Sequence, residues 1–387
     1  ARENNHPEIV ELLSKGPIKK KEPETLTKRS EDTETLKKEN ELLRQQTQKQ
    51  AEDIQKKEEE IQKKEEENKL LKSFLFSNKE KPIALQIVDY KDYDFESVIG
   101  EGGTSSVKIV TKKEKYAQKE LKEITFEQVK RILSECEILI KLRHPCIVRV
   151  FGFSQGDDTH PPSIILSLES TSLEKSIQSK ELNEEEKNRI TVEVVLGMRY
   201  IHKKKFMHRD LKPSNILLSK NKHVRISDFG LAKEESLEMS QSKGVGTMRF
   251  MAPELFEEKD DEDEDKNKSE TRYTNKVDVY SFGITLIYIV TGKYPTFSLK
   301  NVVTGVLPKL KEPIVEWVRE LIFRCLSHSP EERPSFAEIF EIMKSHNYDM
   351  FKESQGGKMT SKQQNQKKEI EKRILKIEAF EYQHQDE

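Results

Sequence analysis

One loop and the turn that follows it constrain this chain more than any other part of its sequence. His208-Arg-Asp-Leu-Lys-Pro-Ser-Asn215 is followed, eighteen residues after Asp210, by Asp228-Phe-Gly230. The short runs Asn215-Ile-Leu-Leu218 and His223-Val-Arg-Ile226 lie between them and predict a strand pair that holds both motifs. From Tyr93 to near His346 apolar strand patterns give way to helical ones, so this stretch is long enough to bury a sizeable core.

A glycine-rich segment near the start of that stretch predicts a hairpin. Glycines let backbone N–H groups approach phosphate oxygens without a Cβ in the way. A dinucleotide-binding loop needs a helix directly after it, whereas Val107-Lys-Ile-Val-Thr111 continues as a strand. Taken alone the segment is more often a plain turn; the alternative is a loop that covers ATP. Its candidate binding residues are Ile99, Gly100, Glu101, Gly102, Gly103, Thr104, Ser105 and Val107.

In this order and spacing the motifs resemble the eukaryotic protein kinase family over residues 93–348. The resemblance implies an α+β, bilobal fold with a small, mainly β N-lobe and a larger, mainly α C-lobe. The hairpin is similar to the pattern G-x-G-x-x-G-x-V, with Ser105 at the third glycine, and Tyr116-Ala-Gln-Lys119 looks like the V-A-I-K strand. The implied cofactors are ATP and Mg²⁺, with Ala117 and Lys119 at the nucleotide.

The resemblance also implies a role for each side chain of the loop. Asp210 would accept or orient the proton of the substrate hydroxyl, and Lys212 would touch the γ-phosphate, as in serine/threonine kinases. Asn215 and Asp228 would hold Mg²⁺ through an amide and a carboxylate oxygen.

Lys119 would reach the α/β-phosphates, and an acid on the helix that follows should pair with it and fix its ammonium. Helical spacing from Phe126 to Ile140 predicts a helix that carries two candidates, Glu135 and Glu137. Glu135 better matches the family spacing to His144-Pro145. A lysine at the surface and a solvated helix face are the ordinary alternatives.

The segment from Asp228 to Glu254 resembles an activation segment. A phosphate on it is predicted to pair with Arg209 and order the loop. Thr247 resembles the threonine that contacts the catalytic loop. The serines that could be phosphorylated, or could simply be solvated, are Ser236, Ser240 and Ser242.

Two further resemblances are structural. Asp278, in Asp-Val-Tyr-Ser-Phe-Gly283, should anchor the backbone of the catalytic loop, and Arg333 should pair with Glu254. The amino-acid sequence of the Asp278 segment looks most like that of the tyrosine-kinase-like group. The acidic run 257–270 predicts a solvated loop, or a docking surface for basic substrates. Whether Leu166 or Leu168 guards the adenine pocket is left open.

Polar segments flank the 93–348 domain. Residues 1–16 resemble the second half of an ankyrin repeat, with a short amphipathic helix as the alternative. Residues 31–76 predict a long charged helix and a possible coiled coil for self-association, although lysines interrupt one seam of its heptads. The tail 349–387 is polar, and its isoleucines predict a helix of unknown partner.

Composition narrows the functional classes. A net charge of −2 gives no basic field for nucleic acid, and no apolar run is long enough for a membrane span. Three cysteines without CxxC spacing, and no signal peptide after Ala1, favour the cytoplasm; the missing initiator Met suggests a fragment. The predicted function is a protein serine/threonine kinase in signalling that acts on protein substrates. The alternatives are a pseudokinase scaffold and a dual-specificity kinase.

Overall fold

In a computed structural model of the chain, the described residues are 41–42, 44–58, 62 and 93–384, apart from 102, 113, 123–124, 157–159, 235–247, 257–272, 297 and 353–358. The chain divides into two units, residues 1–66 and 67–387. In the first unit, residues 41–42 and 44–58 are helical and exposed. The predicted ankyrin-like segment 1–16 lies outside the described residues, as does most of 31–76.

The second unit begins with an antiparallel five-stranded sheet. Its strands are β1 (Asp94–Glu101), β2 (Ser105–Thr111), β3 (Lys115–Leu121), β4 (Val150–Ser154) and β5 (Ser163–Ser167), in the order β1-β2-β3-β5-β4. Helix α1 (Phe126–Lys141) connects β3 to β4, and Thr125 caps its start by accepting from Gln128 N–H. Its apolar face buries Val129, Leu133 and Cys136. The predicted hairpin, second strand and helix are therefore confirmed.

Short strands link this sheet to the helical part. They are β6 (Thr171–Ser172), β7 (Phe206–Met207), β8 (Ile216–Leu218), β9 (Val224–Ile226) and β10 (Lys233–Glu234). The predicted strand pair is β8–β9, in which Ile216 faces Ile226 and Leu218 faces Val224. Because this pair is buried, it fixes the two polar segments at its ends, Asn215 before β8 and Asp228 after β9.

The C-terminal part is mainly helical. Its helices are α2 (Leu173–Gln178), α3 (Glu184–Lys203), α4 (Lys276–Thr291), α5 (Leu299–Val303), α6 (Glu316–Cys325), α7 (Phe336–Ser345) and α8 (Ser361–Gln383). Helix α4 is buried along most of its length. A Cβ at Gly283 would lie 2.9 Å from the Leu326 side chain and 3.0 Å from Cys325, so glycine lets α4 and the end of α6 approach closely. The sheet part and the helical part give the predicted α+β, bilobal fold.

The polar tail is part of this core. Ile370, Ile374 and Ile377 lie on one face of α8 and are 2%, 6% and 0% exposed, in one cluster with the residues of the helical part. The sequence predicted the helix without a partner, and the structure supplies one. No helix of the described residues is both long and apolar enough to cross a membrane.

Candidate active site

A lysine and two carboxylates from three different elements meet between the sheet and the helical part. The Nζ atom of Lys119, on β3, lies 2.7 Å from Oε2 of Glu135, on α1, and 3.0 Å from Oδ1 of Asp228. Glu135 is 3% exposed, whereas Glu137 points to solvent. Of the two acids that the sequence offered, the structure therefore brings Glu135 to Lys119.

The charges of this cluster are coupled through Lys119. Burial raises the pKa of Glu135, against the attraction of the Lys119 ammonium. Attraction by the Lys119 ammonium lowers the pKa of Asp228. Burial acts to lower the pKa of Lys119, but attraction to Glu135 and Asp228 outweighs burial, so its pKa is raised. Asp228 is thus an anion and Lys119 a cation near neutral pH, which is the state needed to hold a metal ion and a phosphate.

The loop between β7 and β8 carries the second group of side chains. Lys212 Nζ donates to Asp210 Oδ2 at 2.6 Å, and Asn215 Nδ2 donates to the same oxygen at 2.9 Å. Asn215 Nδ2 also donates to the Asp210 carbonyl oxygen. The amide nitrogen of Asn215 therefore faces Asp210, which leaves its Oδ1 as the atom offered to a metal.

Asp278, fully buried on α4, holds the backbone of this loop. Its carboxylate accepts from His208 N–H at 2.8 Å and from Arg209 N–H at 2.7 Å. The anchoring contact that the resemblance predicted is therefore present. His202 also bonds Asp278 at 2.9 Å. Burial acts to raise the pKa of Asp278, but the bond from His202, attraction to His202 and His208, and the Arg209 N–H outweigh burial, so the pKa is lowered.

Two non-glycine residues in the site have left-handed backbone conformations. Arg209 has φ 66° and Asp228 has φ 65°, a region that costs non-glycine residues about 1–3 kcal/mol. The Asp278 bond to Arg209 N–H opposes this strain in the loop. Next to Asp228, Ser227 O bonds His208 Nε2 at 3.0 Å, and Ser227 N–H donates to Asn215 O.

Arg333 and Glu254 form the second predicted pair. Arg333 is 1% exposed, and its Nη1 and Nη2 lie 2.7 and 2.8 Å from the two Glu254 oxygens. The guanidinium also donates to the carbonyls of Ser327, Lys276 and His328. This bidentate pair ties the end of the activation segment to the helical part.

The glycine-rich hairpin lies on the same sheet as Lys119. Val107 faces Lys119 in the β2–β3 register, and Ala117 faces Leu166 in the β3–β5 register. A Cβ added at Gly100 or Gly103 would meet open space, which is the room that phosphates need. Of the remaining predicted loop residues, Ile99 and Glu101 end β1, Ser105 begins β2, and Thr104 lies in the turn between them; Gly102 lies outside the described residues.

The register also bears on the open question of the adenine pocket. Residues directly opposite each other on neighbouring strands share a face of the sheet. Leu166 lies opposite Ala117, and Ile164 lies opposite Lys119, so Leu166 shares a face with Ala117 and Lys119. It is 8% exposed, whereas Leu168 lies beyond the end of β5.

The donor set fits Mg²⁺ bound together with a nucleotide. In the part of the chain that the structure describes, no group of three His, Cys, Asp or Glu side chains could hold a metal ion. Asn215 and Asp228 offer two oxygen ligands, and Mg²⁺ commonly takes one or two protein ligands plus phosphate oxygens. The site is therefore suited to a metal that arrives with phosphates.

Two features of the site escaped the sequence reasoning. His202, on α3, forms a hydrogen bond with Asp278, 76 residues later in the chain. His144 forms one with Glu381, 237 residues later. His144 entered the sequence reasoning only as a spacing marker. The predicted Thr247, Ser236, Ser240 and Ser242 lie outside the described residues, as does the acidic run 257–270.

Comparison with known proteins identifies a family that this chain matches. A sequence model of the family described as "Protein kinase domain" matches residues 93–348 of the chain. Mitogen-activated protein kinase kinase kinase 1 of Arabidopsis thaliana is 30% identical over 251 residues, which are 63% of this chain and 38% of that protein. A probable serine/threonine-protein kinase of Dictyostelium discoideum is 28% identical over 279 residues, 66% of this chain and 20% of that protein.

A third relative combines two of the predicted modules in its name. Ankyrin repeat and protein kinase domain-containing protein 1 of Mus musculus is 34% identical over 238 residues, 56% of this chain and 30% of that protein. The chain spans less than half the length of each of these relatives.

Proposed function

The chain belongs to the protein kinase domain family, and from that premise we propose that it transfers the γ-phosphate of ATP to serine and threonine hydroxyls of protein substrates. One observation carries the proposal: Lys119, Glu135 and Asp228 converge from three elements. Asp210, Lys212 and Asn215 form a second hydrogen-bonded group on the adjacent loop. Phosphoryl transfer requires mostly positioning and charge stabilisation, which these groups provide.

Each side chain has a role that its contacts support. Lys119, held by Glu135, directs its ammonium to the α/β-phosphates. Asn215 Oδ1 and the Asp228 carboxylate would hold Mg²⁺, which when bound supplies neutralisation of phosphate charge. Lys212 and Asn215 fix one oxygen of Asp210, which leaves its other oxygen to accept the proton of a substrate hydroxyl.

Two observations favour serine and threonine as acceptors. Lys212 stands two residues after Asp210, and it already contacts the Asp210 carboxylate at 2.6 Å. One relative is named a probable serine/threonine-protein kinase, and another, from a second organism, is named a mitogen-activated protein kinase kinase kinase. A pseudokinase scaffold is not favoured, because Lys119, Asp210 and Asp228 are all present and in contact with charged partners.

Transfer of labelled phosphate from Mg·ATP by the full chain tests the proposal, with Asp210→Asn as the matched variant. We expect the variant to lose roughly 10²–10⁴-fold in rate, the usual contribution of a positioned base, while it still binds Mg·ADP. Phosphoamino-acid analysis should give phosphoserine and phosphothreonine. Equal transfer by both proteins would contradict the assigned base, and phosphotyrosine would indicate dual specificity.

Finer features of the function are also proposed. The Asp278 segment supports the tyrosine-kinase-like group, and the mouse relative's name supports an ankyrin-repeat module around residues 1–16. Self-association through residues 31–76 is supported by the exposed helix over 44–58. A cytoplasmic location, in signalling, agrees with the absence of any CxxC pair among three cysteines.

A further inference from the structure

Polar contacts tie the C-terminal helix α8 to the rest of the domain along its length. Near its start, Gln363 Nε2 donates to Asp349 Oδ2 at 3.1 Å. Near its middle, Arg373 Nε donates to Oε1 of Glu193, which is fully buried on α3, at 3.0 Å. Near its end, Glu381 Oε1 lies 3.1 Å from His144 Nε2. The last contact leads to the active site.

The hydrogen bonds of His144 define which nitrogen carries its proton. Cys146 N–H donates to His144 Nδ1 at 3.0 Å, so Nδ1 is the acceptor and Nε2 the donor. Nε2–H therefore donates to Glu381. The ring is buried and stacks on Tyr200 at 4.7 Å between centroids. Both ring nitrogens are satisfied only while Glu381 is in place.

The loop that contains His144 joins two parts of the active site. On one side it follows α1, whose last turn is closed by Leu142 N–H to Ile138 O, two helical turns after Glu135. On the other side Ile226 N–H donates to Cys146 O at 2.7 Å, and Val148 N–H donates to Ile226 O at 2.9 Å. Ile226 ends β9, two residues before Asp228.

These contacts form a continuous route from the tail to the reacting groups. Glu381 fixes His144, and His144 fixes the turn at Cys146 through the backbone. That turn is bonded to the strand before Asp228 and continues from the helix that carries Glu135. A misplacement of about 1 Å, even one caused far from the reacting groups, can reduce the rate about 100-fold.

We propose that Glu381 is a positioning residue for phosphoryl transfer: through His144 it holds the loop between α1 and β4, and thereby the alignment of Glu135 and Asp228 with Lys119. The proposal rests on the proposed function. It assigns α8 a part in nucleotide binding and catalysis, although none of its residues contacts the Lys119 cluster directly in the described part of the chain.

Three variants of the full chain test this role. Glu381→Ala removes the acceptor of His144, whereas Glu381→Gln keeps a side-chain oxygen in reach. Glu378→Ala is the matched control. Glu378 lies one turn earlier on α8 and is 44% exposed, and both glutamates approach Arg199 Nη2, at 3.7 Å for Glu378 and 3.8 Å for Glu381. Each protein is measured for kcat and KM for ATP, Mg·ADP affinity and melting temperature, and activity is read well below melting.

We expect Glu381→Ala to lower kcat/KM for ATP roughly tenfold, the effect of losing one hydrogen bond to a charged group, and to weaken Mg·ADP binding. Glu381→Gln and Glu378→Ala should stay near the unchanged chain. Unchanged kcat/KM and Mg·ADP affinity in Glu381→Ala, or an equal loss in Glu378→Ala, would overturn the proposal. A lower melting temperature with unchanged activity per folded molecule would reduce the contact to stability alone and overturn it too.

The Mg·ADP titration separates the two proposals. If the unchanged chain bound Mg·ADP but transferred no phosphate, the proposed function would fall. The comparison of Mg·ADP affinity between Glu381→Ala and Glu378→Ala would still decide whether Glu381 positions the nucleotide site.

Discussion

At the scale of single residues, buried charge pairs hold this site together. Lys119 is shared by Glu135 and Asp228, and Asp278 is shared by two backbone donors and His202. A charge buried without its partner costs far more than the pair contributes. Removing one member should therefore harm the protein more than replacing both.

Arg333 offers the clearest test of that asymmetry. Arg333→Met leaves the Glu254 carboxylate without its bidentate partner, and we expect the free energy of unfolding to fall by about 3–5 kcal/mol. Denaturant titration measures the change. Arg319→Met is the control, since Arg319 pairs at 3.8 Å with a Glu316 side chain that is 67% exposed, and a surface pair contributes about 0–1 kcal/mol.

The double variant Arg333→Met with Glu254→Leu completes this experiment. It removes both charges, so part of the lost stability should return; the three backbone carbonyls that Arg333 serves prevent full recovery. Equal losses in Arg333→Met and Arg319→Met would show that the buried pair has no special role.

At the scale of elements, the sequence predicted local structure well, but it predicted remote contacts only where the family resemblance supplied them. The apolar strand pattern predicted β2, and the spacing from Phe126 to Ile140 predicted α1, because these patterns repeat within one element. The resemblance to the V-A-I-K strand predicted β3. Family spacing singled out Glu135 over Glu137. The bonds from His202 to Asp278 and from His144 to Glu381 join residues far apart in the chain, and such pairings leave no trace in a local pattern.

Helix α8 shows the same limit. Its isoleucines predicted an amphipathic helix, but the surface that they cover is built from α3 and other elements that come together only in the fold. The residues around them are mostly polar, and the partner of the helix was left unknown. The apolar face, rather than the average composition, decided where the helix packs.

Ile377 tests how much that packing stabilises the protein. Ile377 is fully buried, so Ile377→Ala should lower the free energy of unfolding by about 2–5 kcal/mol, the usual cost of an isoleucine-to-alanine cavity. Leu375→Ala is the control on the same helix, because Leu375 is 66% exposed and should change stability by about 0.5 kcal/mol or less. Chemical denaturation gives both values. Similar small changes in the two variants would mean that α8 adds little to the core.

At the scale of the whole molecule, a catalytic domain is joined to a charged helix that precedes it. Leu42 and Ile54 of that helix are 56% and 49% exposed, and Lys57 stands in the heptad seam where a coiled coil prefers an apolar residue. In the proposed self-association, this seam would set how strongly copies of the chain associate.

Replacing the seam lysines by leucine should strengthen self-association of the chain. Lys57→Leu with Lys64→Leu adds apolar surface to a paired helix, and we expect the dissociation constant for self-association to fall on the order of tenfold or more. Sedimentation velocity over a concentration series measures it, with Lys56→Leu and Lys63→Leu as the control outside the seam. A seam variant no more associated than the control would rule out pairing through this helix.

The packing of α8 has a practical consequence for anyone who trims the protein. A recombinant fragment that stops at residue 348, where the family match ends, would lack α8. The apolar surface of α3 and its neighbours that α8 buries would then be exposed to solvent. Such a fragment should precipitate or need detergent, and inactivity in it would say more about the missing cover than about the chemistry. Biochemical work is best begun with the tail attached.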